Sequence, residues 1–127
     1  MIKEILEYLR TVPSLADEFG DRIAETDQDL ASPPYPKLGI SIGLPLDVGE
    51  GIEVDISAAI TAVGSEESTN EIRQLAELVI RELESALIPV EGRSISTIAL
   101  LSTDLDVIED GPALLLEMEF AGRLWEN

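Results

Sequence analysis

Between Ile52 and Ala62 the chain alternates. Ile52, Val54, Ile56, Ala58, Ile60 and Ala62 are apolar, and Glu53, Asp55, Ser57 and Thr61 stand between them. A period of two sustained over this length predicts a strand with one buried face and one open face. Such a strand needs partners on its edges and an apolar layer over one side. The rest of the sequence has to supply both.

Partners are present on either side. Leu38, Ile40, Ile42, Leu44 and Leu46 alternate with Gly39, Ser41, Gly43 and Pro45. This predicts a half-buried strand that ends at Pro45, joined to the first run as an antiparallel hairpin through the turn Asp47 to Gly51. Ile95 to Val107 predicts a third strand. Its apolar parity moves from even (Ile98, Leu100) to odd (Leu101, Leu105, Val107), which places a bulge or bend near Ser102. After a turn at Glu109-Asp110-Gly111-Pro112, the last strand runs from Leu114 to Trp125. It sets Leu114, Leu116, Met118, Phe120 and Leu124 against Leu115, Glu117, Glu119, Ala121 and Arg123.

The covering layer reads as helical. Ile2, Ile5, Leu6 and Leu9 have helical spacing to about Arg10, and Pro13 ends that helix. Ser14 is placed to cap a short helix through Phe19, stopped by Gly20. Arg22-Ile23-Ala24 is a short extended piece, and Asp27 to Pro36 a proline-rich loop. Ser68 and Glu71 have capping-box spacing. From there Ile72, Leu75, Ala76, Val79, Leu83, Ala86 and Leu87 form one apolar stripe. The expected fold is α+β: one two-layer domain over residues 1–127, with a mostly antiparallel four-stranded sheet and helices packed on one face.

Composition narrows the chemistry. There is no Cys, so disulfides, thiolate nucleophiles and Cys-held zinc or iron–sulfur centres are out. There is no His, the commonest general base and metal ligand. With 26 acidic residues against 8 basic ones, net −18, the chain is a poor ligand for nucleic acid or an anionic membrane. No apolar run approaches the ~20 residues of a membrane span, and the amphipathic, acid-bearing start is unlike a signal peptide. A soluble chain made in a cytoplasm is expected, with no cofactor and no metal.

The remaining catalytic candidates are thin. Gly39-Ile40-Ser41-Ile42-Gly43 has the letters of a nucleophile elbow, but Ser41 sits inside an alternating run and lacks a His partner. Asp104, Asp106, Glu109 and Asp110 offer oxygens to a hard cation without EF-hand spacing; a solvated strand end explains them as well. Glu53 with Asp55, and Glu117 with Glu119, are carboxylate pairs on one strand face. Each pair can be an acid/base couple, a solvated face, or part of an acidic wall. Small residues (Ser57, Ala59, Ala113, Ala121) interleave them, so a broad acidic surface with few bulky groups is expected if both hairpins share one sheet. A catalytic role is disfavoured.

The layout resembles the tail-completion or tail-terminator proteins of long-tailed bacteriophages. The likeness lies in the N-terminal helix MIKEILEYLRTVPSLADEFGDRI, the entry PPYPKLGISIG, the strand GIEVDISAAITAVG, the helix STNEIRQLAELVIRELESAL and the closing hairpin STDLDVIEDGPALLLEMEFAGRLWE. It covers nearly the whole chain and is one of layout, with no invariant motif. The strong acidity is the main departure from that pattern.

The resemblance implies a homo-oligomeric ring, commonly a hexamer, that caps the tail tube, ends its polymerisation and offers a surface to the head–tail connector. It implies a virion location in the tail or neck, with assembly in the bacterial host cytoplasm. Duplex DNA would pass through the lumen without being bound. Glu53, Asp55, Glu117 and Glu119 then belong to an acidic lumen or partner surface. The loop Leu44, Pro45, Asp47, Gly49, Glu50 and Gly51 becomes the candidate tube-docking loop, and Arg123 and Trp125 candidate subunit contacts. The competing readings are a head–tail joining or minor tail protein and, from a different class, an acidic inhibitor that mimics DNA.

Overall fold

The computed structural model describes residues 1–26, 34–49, 51–65, 67–108 and 113–126. In chain order its elements are α1 (Ile2–Thr11), α2 (Pro13–Phe19), β1 (Ile23–Glu25), β2 (Lys37–Ile42), β3 (Leu46–Asp47), β4 (Ile52–Val63), α3 (Asn70–Glu84), β5 (Ile88–Val90), β6 (Arg93–Ile108) and β7 (Ala113–Glu126). The turn expected at Glu109 to Pro112 and most of the loop from Asp27 lie outside the described residues.

The sheet has seven strands, in the order β1-β2-β4-β7-β6-β5 with β3 also on β4. This corrects the four-stranded expectation. β1 and β5 are three residues long and β3 is two, too short to print an alternation in sequence. β1 pairs parallel with β2 and the other pairings are antiparallel, so the sheet is mixed. α1 packs against both β1 and β5, which end the sheet on opposite sides. A helix about 10 Å across reaches both only if the sheet curls around it. α3 lies on β4, β6 and β7, and α2 joins α1 to α3.

One apolar cluster fills the concave side. It joins Ile5, Leu9, Leu15 and Phe19 of the first two helices to Ile72, Val79 and Leu83 of α3, and to Ile40, Val54, Ile56, Ile60, Met118 and Phe120 of the sheet. Helix boundaries depart from the expected ones. Pro13 does not simply end α1 but begins α2, where its missing N–H costs nothing. Ser14 is no cap; its hydroxyl donates to Glu82 Oε1 at 3.2 Å and ties α2 to α3. The Ser68–Glu71 capping box does not form. Thr69 is the N-cap of α3 without a side-chain bond, and Ser68 Oγ instead accepts the Ser65 amide at 3.0 Å. The apolar stripe stops at Ala86, and Leu87 is exposed.

β6 carries two irregularities against β7. Between Ser96↔Arg123 and Ala99↔Ala121 one extra residue is inserted, and Leu101 is a second insertion between Leu100↔Phe120 and Ser102↔Glu119. The expected bend near Ser102 is the second of these. Thr97 in the first has φ +57°, a left-handed conformation poorly suited to a β-branched residue. Thr97→Asn should therefore raise stability, by about 0.5–1 kcal/mol, because Asn tolerates that region better; urea denaturation of the two proteins checks it.

Candidate functional site

Among the described residues no helix lies on the convex side of the sheet. β7 pairs with β4 in register over the whole length of β4, which puts Glu53 opposite Arg123, Asp55 opposite Ala121, Ser57 opposite Glu119 and Ala59 opposite Glu117. All four acids named from the sequence thus stand on one face. Asp55, Glu117 and Glu119 are exposed and Glu53 is half-buried. Ser57 Oγ donates to Glu119 Oε2 at 2.6 Å, which fixes that carboxylate across the strand pair. A shallow hollow of about 70 Å³ lies beside it, lined by Thr26, Ser41, Ser57, Ala59, Glu117 and Glu119.

This acidic face is narrower than the sequence suggests. Ala59, Thr61 and Ala113 are buried although they belong to the open side. Thr61 stands in register between Lys37 and Leu115, whose longer side chains flank it. Ser41 is half-buried in mid-strand, with none of the strand-to-helix turn a nucleophile elbow needs.

On the other side of β7 the acids crowd. Asp104 is directly opposite Glu117, and Asp106 is two residues on, facing Leu115. Carboxylate oxygens of Asp104, Asp106 and Glu117 all lie within 4.8 Å of one another, and all three residues are exposed. Sequence reading grouped Asp104 and Asp106 with Glu109 and Asp110, which lie outside the described residues; the strand register brings in Glu117 instead. Like charges directly opposite on a sheet oppose folding. Glu117→Gln should accordingly stabilise the fold by a few tenths of a kcal/mol, up to ~1. The gain should shrink in high salt, which paired melts at low and high ionic strength would measure.

The remaining candidates converge at the opposite end of the sheet. Leu46 and Asp47 form β3 against Glu53 and Ile52, continuing the β2 pairing along the same edge of β4 after one extra residue beyond Ile42. The run expected to end at Pro45 is regular only to Ile42, and Leu44 and Leu46, named among its apolar positions, are 94% and 61% exposed. Glu50 lies outside the described residues. Asp47, Gly49, Gly51, Ile52, Arg93, Leu124 and Trp125 line a hollow of about 480 Å³. Gly51 has φ +111°, and a Cβ there would lie 3.1 Å from the Leu124 carbonyl and 3.5 Å from the Trp125 ring. Pro45 joins the exposed leucines in sequence, and Val48 is also exposed. Asp47, Gly49 and Gly51 of the docking-loop candidates and Trp125 of the subunit-contact candidates, far apart in sequence, thus share one hollow with Arg93. Arg93 was not singled out from sequence; its register opposite Glu126 depends on the full length of β6.

No protein-family model matches the chain, and no curated protein does. Among solved structures, the fold is similar to a chain in the virion of a native gene transfer agent particle, with a TM-score of 0.66 and 17% identity. The match covers 96% of this chain and 93% of that chain. Among the described residues no helix is long and apolar enough to cross a membrane.

Proposed function

We propose that this chain is a structural virion protein of the phage-tail type, and within that class a tail terminator. Its subunits close into a ring, commonly of six, that caps the tail tube and presents a surface to the head–tail connector. The observation that carries this reading is the fold likeness, over nearly the full length of both chains, to a component of a gene transfer agent virion. The role is structural and involves no catalysis: the carboxylates stand in the open, where water screens them.

In this reading the convex face with Glu53, Asp55, Glu117 and Glu119 lines the lumen. Its charge repels phosphates over about a Debye length, roughly 8 Å at physiological salt, so DNA in transit does not adhere. Exposed Leu44 and Leu46 and the hollow at Trp125 make the protein–protein contacts, with a neighbouring subunit or the tube. The protein resides in the tail or neck and assembles in the host cytoplasm.

Light scattering across a concentration series, with negative-stain imaging of the same samples, tests the ring. Closed rings with an open centre, alone or on isolated tubes, are expected. A monomer that ignores tubes and instead inhibits a nuclease would overturn the reading in favour of a DNA mimic. Replacing Asp55, Glu117 and Glu119 with lysine should leave the fold intact and slow genome release at least ~10-fold, since sliding past a wall of opposite charge is strongly salt-dependent. Unchanged release would sink the lumen assignment.

A further inference from the structure

We infer that the outer edge of β6 from Leu101 to Ile108 is a docking site for an extended partner segment in which basic and aliphatic residues alternate. The inference goes beyond the ring and does not depend on it.

β5 covers β6 only at Arg93–Ile95. Glu84 Oε2 accepts the Leu100 amide at 3.3 Å and closes one further position. From Leu101 onward no described strand pairs with that side of β6, although β7 pairs with the other side through Ile108. An edge this long presents a row of N–H and C=O groups ready to accept another strand.

The side chains along the edge specify the partner. Asp104 and Asp106 point to the convex face, where Glu117 adds a third carboxylate within 4.8 Å. Thr103, Leu105 and Val107 point to the concave face, where Val107 is 43% exposed; Leu101, at the bulge, is 64% exposed. A strand added here would meet carboxylates on one face and aliphatic groups on the other. Alternating lysine or arginine with valine, isoleucine or leucine satisfies both.

A second copy of this chain fits poorly. Two β6 edges placed together would oppose aspartates to aspartates, which is unfavourable. Nor does the chain hold much cation to offer: of its 8 basic residues, Arg10 and Arg22 are already bonded to the Ile23 and Pro36 carbonyls. The bulge and the aspartates thus discourage self-pairing while leaving the edge open to a partner of opposite charge.

The test uses the full chain and a capped peptide of alternating lysine and valine, matched in length to Leu101–Ile108. Calorimetry should find saturable one-to-one binding. Amide exchange should show protection that grows at Leu101–Ile108 with peptide. The same peptide with alternate amides N-methylated keeps its charge but cannot form the ladder, and should bind at least ~10-fold more weakly. Asp104→Asn with Asp106→Asn should weaken binding of the unmodified peptide with the melting temperature kept or raised. Equal binding of the N-methylated peptide would mean diffuse charge attraction and overturn the inference, as would no binding at all. Protection of these amides that rises with protein concentration alone would assign the edge to a second copy and overturn it too.

Discussion

Gly122→Val is expected to destabilise the fold by about 3 kcal/mol, a fall of roughly 10 °C in melting temperature for a chain of this size. Gly122 lies in the middle of β7, opposite Val54, on the concave side. Across from it β6 inserts its first extra residue, and Ile98 uses the room. A Cβ on Gly122 would lie 2.8 Å from Ile98 Cγ1 and 3.2 Å from Ile95 Cγ2. Ile95 is fully buried and Ile98 nearly so, so neither can swing into solvent. Relief would require the bulge to move, and the bulge is already held at Thr97 in a left-handed conformation. Ile98→Ala in the same chain should recover part of the loss, since the two residues share one volume. Ala121→Val, one residue away on the convex face, serves as the control and should change little. A Gly122→Val protein that melts with the parent would show that the strand pair is looser than the register requires.

That glycine also marks where sequence reading runs out. β4, β7 and α3 were legible because each repeats its pattern over many residues: Ile52 to Ala62, Leu114 to Leu124, Ile72 to Leu83. The second bulge of β6 was legible as a change of parity. The first was not, because the step from Ile95 to Ile98 resembles the start of a strand until the partner is known. β1, β3 and β5 escaped because two or three residues carry no period. Leu44 and Leu46 misled because they extend the alternation of β2 in sequence, whereas one extra residue after Ile42 sets Leu46 opposite Glu53 of the convex face.

The site was legible to the same degree. That Glu117 and Glu119 share a face follows from spacing alone. That Glu117 meets Asp104 while Glu119 receives the Ser57 hydroxyl depends on register across three strands, which no local pattern encodes. The burial of Ala59, Thr61 and Ala113 on the open side is of the same kind. So is the meeting of Trp125 with the Asp47–Gly51 turn.

That meeting carries the second large expectation. If the patch around Trp125 is the subunit contact, Trp125→Ala should weaken self-association by at least ~2 kcal/mol, about 30-fold in Kd. Trp125 has the features of an interface anchor: a large ring, 39% exposed, backed by Gly51, with Asp47, Gly49 and Arg93 on the same hollow. The effect on folding should be smaller, about 1–2 kcal/mol, because the ring is only partly withdrawn from water and truncation opens no enclosed cavity. Leu46→Lys should reproduce the loss of association, since it places a charge on the same surface without touching the core. Dilution series by light scattering, with melts of the same proteins, separate the two roles. A Trp125→Ala chain that assembles like the parent but melts far lower would make Trp125 a plug at the edge of the core. The contact would then have to be sought elsewhere on the molecule, and the Arg123 side of the sheet would lose its claim to a neighbour.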